Sequence, residues 1–523
     1  MDYEIVIGLE IHLELKTKSK FFCDCPNQEA EKPNINICPI CLGHPGILPV
    51  INKEAVIKGL KLGLALKGEI AEDCHFDRKN YFYPDLPKGY QISQYQSPLI
   101  NGGVVEFEYS SIERQVYPVK SRKAGTQHSN ALSAELFNRV NLERIHLEED
   151  TAKVFHVRDS SLLDFNRAGV PLLEIVTKPE ITSPSQAKVF LEELLKIIRY
   201  LGISDADMEK GQLRCDANIS IRPKGDKKYY SKTEIKNLNS FRAVERALCY
   251  EFDRQVGLWE QNNPPKYQTT RGWDGIKTIE QRGKEEEQDY RYFPEPDLPP
   301  LNKNSFKEQG IDLDFLKNTL PELPFSRQKR FKEEYGFDHS QSCLLTDDKE
   351  SADYTEKVVS ELKVWLLSLE AVEGSEQEIW ENNKKQFVKL LSNWLINHLL
   401  VLQKKLLEKE FRITPENFAE FLIMVYEKKI SGNVAQKVLE KMFETGKDVD
   451  RILSEHEFKT TEKKDELDKI IREVVKDNPE ITEKIKQGKT NVIQYLVGQA
   501  MKKTRGRAEP NTIRKLLEEE LKN

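Results

Sequence analysis

Tyr3-Glu4-Ile5-Val6-Ile7-Gly8-Leu9-Glu10-Ile11-His12-Leu13-Glu14-Leu15 has apolar residues at nearly every odd position. A strand through it therefore sends Glu10, His12 and Glu14 to the face opposite its apolar side. Leu213-Arg214-Cys215-Asp216-Ala217-Asn218-Ile219-Ser220-Ile221-Arg222 repeats the pattern, and Glu234 and Lys236 in Thr233-Glu234-Ile235-Lys236-Asn237 can repeat it again. The bland account of any one such strand is the solvated face of an antiparallel sheet. Three strands that mix carboxylates with Arg and Lys carry a second account. Carboxylates with an imidazole suit a hard divalent cation such as magnesium, and interspersed Arg and Lys suit the phosphate oxygens that such a cation escorts. His146-Leu147-Glu148-Glu149-Asp150 adds three adjacent acids with apolar flanks, as at a sheet edge or turn near the same site.

Around these strands, residues up to about Leu301 are rich in Gly, Pro, Tyr and short alternating runs, which reads as a sheet-rich α+β domain. Two helices interrupt it: Pro184-Ser185-Gln186 opens one over Ala187 to Leu201 that closes at Gly202, and another runs from Phe241 to Gln255. The proline run from Pro294 to Pro300 ends the domain. From about Phe315 onward Gly and Pro become rare, and Phe387 to Leu395 has apolar residues at helical spacing, so the second half is predicted to be helical. A helix around Asn433 to Phe443 and the charged stretch Lys459 to Asp468 mark a further boundary. The expected domains are 1–301, 302–455 and 456–523, in keeping with about 150 residues per domain over 523 residues.

Charge limits the function classes. Lys and Arg total 80 against 86 Asp and Glu, which excludes a wholly basic nucleic-acid coat and makes any such contact local. Lys502, Lys503, Arg505 and Arg507 form one local patch, either for phosphates or as a solvated helix end. No apolar run long enough to cross a membrane and no leader pattern is seen, so secretion and membrane insertion are not expected. Eight cysteines are too sparse for a disulfide scaffold, which points to the reducing cytoplasm. Cys23-Asp24-Cys25 and Cys38-Pro39-Ile40-Cys41 can surround one tetrahedral zinc; a redox pair or packed thiols are the alternatives. With four sulfurs such a zinc keeps no open position and is structural.

Two aromatic runs, Phe76 to Gln91 and Asp289 to Asp297, interleave Arg, Lys and Tyr. They suit a single-stranded nucleic-acid end, with cations on phosphate and rings on bases, or else ordered loops plugging a core. No P-loop, dinucleotide turn or kinase signature is present, so ATP binding would use another architecture.

These runs resemble those of a known family: V-I-G-L-E-I-H at Val6 to His12, C-P-x-C-L-G at Cys38 to Gly43, F-D-R-K-N-Y-F-Y-P-D-L-P-K at Phe76 to Lys88 and R-I-H-L-E-E-D at Arg144 to Asp150. D-F-N-R-A-G-V-P-L-x-E-I at Asp164 to Ile175, L-R-C-D-A-N at Leu213 to Asn218, E-I-K-N-L-N-S-F-R at Glu234 to Arg242 and D-Y-R-Y-F-P-E-P-D-L-P-P at Asp289 to Pro300 extend the likeness. The chain resembles the B subunits of the aspartyl/glutamyl-tRNA amidotransferases. Tyr495 to Gln499 and Lys502 to Ala508 look like the tail shared with YqeY-type proteins.

The resemblance implies an α+β cradle domain related to glutamine synthetase and guanido kinases, then an all-α helical domain and a helical YqeY-like tail that binds tRNA. It implies a heterotrimer in which the glutaminase, or A, subunit supplies ammonia and the small C subunit holds the complex together. The B subunit would phosphorylate the side chain of misacylated Glu-tRNA(Gln) or Asp-tRNA(Asn) with ATP and then amidate it. By position, the family's magnesium ligands fall on Glu10, His12, Glu149, Asp216 and Glu234, with Glu148 behind them. Lys79, Arg214, Lys236 and Arg291 are read from charge and context as contacts to phosphate or the aminoacyl end. A non-catalytic tRNA-binding scaffold is the alternative function. A self-sufficient glutaminase is not supported, since no Gly-rich Ser-Ser amidase run is found.

Overall fold

The computed structural model describes residues 2–110, 135–283, 290–368, 375–405, 411–456, 464–486, 493–504 and 510–521. The chain falls into two compact units, Met1–Ser326 and Arg327–Asn523.

The first unit is built on a ten-stranded sheet. In spatial order it runs Thr278–Gly283, Thr269–Trp273, Thr233–Leu238, Leu213–Pro223, Tyr3–Glu14, Pro171–Thr177, Glu135–Glu149, Ile100–Asn101 and Glu69–Ile70, with Val104–Ser110 also paired to Glu135–Glu149. Tyr3–Glu14 sits in the middle because Leu9, Ile11 and Leu13 bury one face completely and the backbone pairs on both edges. Thr233–Leu238 and Thr269–Trp273 are parallel. A parallel pair needs a crossover, and the helix Phe241–Glu260 supplies it.

The apolar face is covered by helices. Lys53–Ala65 packs against the Glu135–Glu149 strand, and Phe241–Glu260 lies against Leu213–Pro223 and Thr233–Leu238. Gly63 lets the Lys53–Ala65 helix approach the neighbouring Ile100–Asn101 strand, since a Cβ there would stand 2.3 Å from Ile100 Cδ1. Fully burying each large apolar side chain contributes roughly 1.5–3 kcal/mol, and the row Ile11, Ile175 and Ile145 does so in register across three strands.

Helix ends follow their sequence signals. Pro184–Tyr200 starts at Ser183, whose hydroxyl accepts from Gln186 N, and Gly202 follows it with φ +62°. Phe241–Glu260 starts at Ser240 but runs past the predicted end at Gln255, because nothing there terminates it before Asn262 at φ +57°. The proline run does not close the first core. Leu301, Phe306, Ile311 and Leu316 belong to it, so the first unit continues beyond residue 301.

The second unit is helical. One core gathers Phe331, Val358, Leu362, Phe387, Leu391, Phe418, Leu439 and Phe443, among others. The helices Glu376–Trp394 and Gly432–Thr445 contribute to it, the second closed by Gly446 at φ +70°. A separate cluster around Ile471, Leu496, Ile513 and Leu517 is formed by Lys464–Asp477, Ile493–Lys503 and Pro510–Glu520. Among the described residues no helix is long and apolar enough to cross a membrane.

Candidate functional site

Register builds the polar face of the sheet. His12 stands opposite Arg214 on one side and Glu174 on the other, and Glu174 stands opposite His146. Glu10 stands opposite Asp216, and Asn218 opposite Glu234. A single phase of alternation along five strands thus brings carboxylates, imidazoles and cations onto one surface.

His12 Nε2 lies 3.5 Å from Glu148 and 3.4 Å from Glu174, and His146 Nε2 lies 3.3 Å from Glu174. Burial works against the charged form of His12, but the hydrogen bond to Glu174 and the charges of Glu148 and Glu174 outweigh it and hold His12 up at about 9. Glu174 is also desolvated, yet His146 and His12 keep its carboxyl well below the usual range. One ligand atom each from His12, Glu148 and Glu174 lies within 4.8 Å of the others, a donor set and spacing that fit a small hard cation.

Beside this trio, Lys236 bridges Asp216 at 2.8 Å and Glu234 at 3.0 Å, and those carboxylates raise its ammonium against the pull of burial. Glu234 also accepts from Thr270 Oγ1 at 2.8 Å, and Glu10 from Asn218 Nδ2 at 3.0 Å. Arg214 pairs with Asp150 at 2.8 Å, and Arg167 holds the same carboxylate at 3.2 Å. His146 Nδ1, Asn218 Oδ1 and Arg214 Nε are buried without a hydrogen-bond partner. Unsatisfied atoms at these positions leave donors and acceptors that water, an ion or a ligand can meet.

A cavity of about 780 Å³ opens on this face, with His12, Glu148, Arg214, Asp216, Lys236 and Lys79 in its wall. Lys79 and Tyr81 come from the first aromatic run. The two runs meet: Phe293 pairs with Arg78 in a short ladder, and Lys79 Nζ sits 4.8 Å from the centre of the Tyr290 ring. Asn80 Nδ2 donates to the carbonyl of Arg291 at 2.8 Å, which fixes the Arg291 backbone beside the same wall segment. Arg78 makes two 2.7 Å bonds to Glu295, so the loops are braced from below rather than loose.

One sequence assignment changes with the phase of a strand. Glu148 and Glu149 are neighbours on Glu135–Glu149 and point to opposite faces. Glu148 joins His12 and accepts from Ser93 Oγ at 3.2 Å, whereas Glu149 pairs with Lys88 and accepts from Ile92 N at 2.9 Å. Glu148, not Glu149, thus stands with His12 on the cavity wall. Glu174 and His146 were not singled out from the sequence. The signal for Glu174 is a lone acid inside the apolar run Leu172–Val176, and for His146 its two-residue spacing from Glu148.

The four N-terminal cysteines converge. Cys23, Cys25, Cys38 and Cys41 place their sulfurs within 4.8 Å of one another, a grouping compatible with four thiolates around one zinc. Cys38 N donates to Cys41 Sγ at 3.1 Å. Cys41 is pushed down to about 5, chiefly by a hydrogen bond from Cys23 with help from Lys20, while the same bond and burial push Cys23 up. Cys74, Cys215, Cys249 and Cys343 form no disulfide and lie outside this group.

In the tail, Lys503 pairs with Asp477 at 2.7 Å and Glu473 at 3.2 Å, so its charge is partly spent within the chain. Lys502 is exposed one residue earlier. Arg505 and Arg507 lie outside the described residues.

Comparison with known proteins sets this geometry in context. A family model described as the GatB/GatE catalytic domain matches residues 5–306, and one described as the GatB domain, with a YqeY element in its name, matches residues 377–521. The chain is 43% identical to the aspartyl/glutamyl-tRNA(Asn/Gln) amidotransferase B subunit of Carboxydothermus hydrogenoformans, covering 99% of both chains. It is 40% identical to the protein of the same description from Moorella thermoacetica and 41% identical to that from Caldanaerobacter subterraneus subsp. tengcongensis, each match covering 100% of both chains.

Proposed function

The chain belongs to the B-subunit family of the aspartyl/glutamyl-tRNA(Asn/Gln) amidotransferases, and on that footing we propose that the polar face of its sheet activates and amidates the side chain of a misacylated tRNA. A carboxylate resists attack by ammonia. The γ-phosphoryl group of ATP is first transferred to a side-chain oxygen of the esterified Glu or Asp, and ADP leaves. Ammonia then attacks the acyl carbon, the phosphate departs, and the nitrogen loses a proton to give Gln-tRNA(Gln) or Asn-tRNA(Asn). The nitrogen comes from a glutaminase partner of the A type, and a small C-type partner completes the heterotrimer.

The observation that carries this reading is the cavity wall itself, where His12, Glu148 and Asp216 stand with Arg214, Lys236 and Lys79. His12, Glu148 and Glu174 would hold one magnesium ion, with Glu10, Asp216 and Glu234 available to a second or to the nucleotide's escort. Magnesium supplies charge neutralisation between phosphate oxygens. Arg214 and Lys236 would orient the transferring group, each already held by an acid that fixes its position. Lys79 and Tyr81 would receive the aminoacyl end, with Arg291 as a further contact. A tRNA-holding scaffold alone has no use for carboxylates gathered where anionic RNA docks, because like charges repel unless a cation intervenes.

The first unit is read as a cradle of the glutamine synthetase and guanido kinase type, supported by one helix-covered and one acid-lined face. Cys23, Cys25, Cys38 and Cys41 are read as a structural zinc centre, and the cytoplasm as the compartment. The division of the second unit near residue 456 is kept, with a tRNA-binding tail that includes Lys502, Lys503, Arg505 and Arg507.

The test is a radiolabelled assay of the chain with its two partners, ATP and glutamine, run on Glu-tRNA(Gln) and on Asp-tRNA(Asn). Amidated product that depends on ATP, and is lost in Asp216→Ala, supports the reading. Full amidation by the Asp216→Ala complex would remove the assignment of this face.

A further inference from the structure

Lys20 is 0% exposed, and the places its charge can go are few. Its Nζ lies 3.7 Å from Cys41 Sγ and 3.2 Å from the carbonyl oxygen of Phe165. Among the described residues no carboxylate forms an ion pair with it. A buried ammonium without an anion is costly, and chains that bury one give it a paired charge. The charge balance at the cysteines provides that anion: four thiolates around one divalent ion carry a net charge of -2, and one adjacent ammonium brings the group to -1.

We propose that Lys20 is the counter-cation of the four-cysteine centre, a positioning residue that stabilises metal-bound thiolate rather than free thiol. This rests on the reading of the cluster as a zinc site. Backbone bonds support the placement. Lys20 N donates to Cys25 O at 2.9 Å, so the residue is threaded into the cysteine lobe, and Phe21 N donates to Gly169 O at 2.8 Å on the loop that also supplies the Phe165 carbonyl. The ammonium therefore spans the sulfur cluster and the Phe165–Gly169 loop. A donor to a metal-bound sulfur draws electron density from it, which slows protonation and loss of that ligand.

The experiment compares the full-length wild type with Lys20→Met and Lys20→Gln, all purified without chelator and measured for zinc content and for the rate of zinc transfer to a colorimetric chelator. Lys20→Met keeps the volume without charge, and Lys20→Gln keeps an N–H donor without charge. Both variants are expected to surrender zinc roughly 10- to 100-fold faster than wild type, the usual effect of removing an outer-shell partner. With zinc stripped, Lys20→Met is expected to unfold at no lower denaturant concentration than stripped wild type, because the ammonium has then lost its anion. Should Lys20→Met fail to accumulate as folded protein, the Lys20→Gln release rate decides. Zinc release at the wild-type rate, or an equal loss of stability with and without zinc, would overturn the counter-cation role while leaving the zinc centre in place. Wild type that contains no zinc would overturn both.

Discussion

The acid face and the cysteine lobe each gather metal-binding donors, and they do so by different means. On the sheet, His12, Glu148 and Glu174 come from three strands far apart in sequence, and pairing register alone brings them together. In the lobe, all four sulfurs lie within 19 residues of chain, Cys23 to Cys41, and short spacings bring them together. A register-built site is rigid before any ligand arrives, because the ladder that places it is also the core of the unit. A spacing-built site depends more on its ion, since few buried apolar groups hold those loops otherwise.

The sharpest way to break this contrast lies in the two neighbouring glutamates. Glu148→Gln is expected to lower ATP-dependent amidation roughly 100- to 1000-fold with little change in stability, as removal of one electrostatic group from a reaction site does. Glu149→Gln should instead destabilise the chain by about 3 kcal/mol, since it leaves Lys88 buried without its charge partner, and should spare kcat in the protein that remains folded. Steady-state kinetics and denaturant titration of both variants check this. Equal loss of kcat in both would mean that strand phase does not select the catalytic carboxylate.

The second effect is on the lobe. Cys41→Ser is expected to reduce zinc from about one ion per chain to none and to lower the thermal midpoint, while circular dichroism still reports the sheet. Elemental analysis and a melting curve suffice. Loss of the whole sheet signal would show that the lobe is as much a part of the core as the strands are.

The smallest expected effect is in the tail. Removing residues beyond 456 should raise KM for aminoacyl-tRNA and reduce the steepness of its salt dependence, by about 0.9 in the logarithmic slope for each phosphate that the tail no longer neutralises. ATP and glutamine use should stay unchanged. An unaltered salt series would mean that Lys502 and its neighbours only solvate a helix end, as the pairing of Lys503 with Asp477 and Glu473 already does for one of them.

Much of this was open to sequence reasoning, and the failures have physical causes. Alternation in Tyr3–Glu14 and Leu213–Pro223 identified the polar face, because a strand covered on one side must alternate. The same rule separates Glu148 from Glu149 only when the phase of the strand is known, and three consecutive acids hide the phase. His146 carries it: two residues before Glu148, it shares that face. Glu174 escaped because one acid among Leu172, Leu173, Ile175 and Val176 looks like an exception rather than a member of a pattern. The proline run misplaced the end of the first core because Pro forbids regular ladders but not packing, and Phe306, Ile311 and Leu316 return to the same core after it.

The peptide unit between Glu148 and Glu149 has one more consequence. Glu149 is paired with Lys88, which runs so close to Gly43 in the cysteine lobe that a Cβ there would meet it, while Glu148 faces His12 across the sheet. Neighbouring residues of a strand are about 3.3 Å apart and share a stiff backbone. That peptide unit is thus an axle with one spoke against the cysteine lobe and the other on the cavity wall, so the two donor groups share a single stretch of backbone.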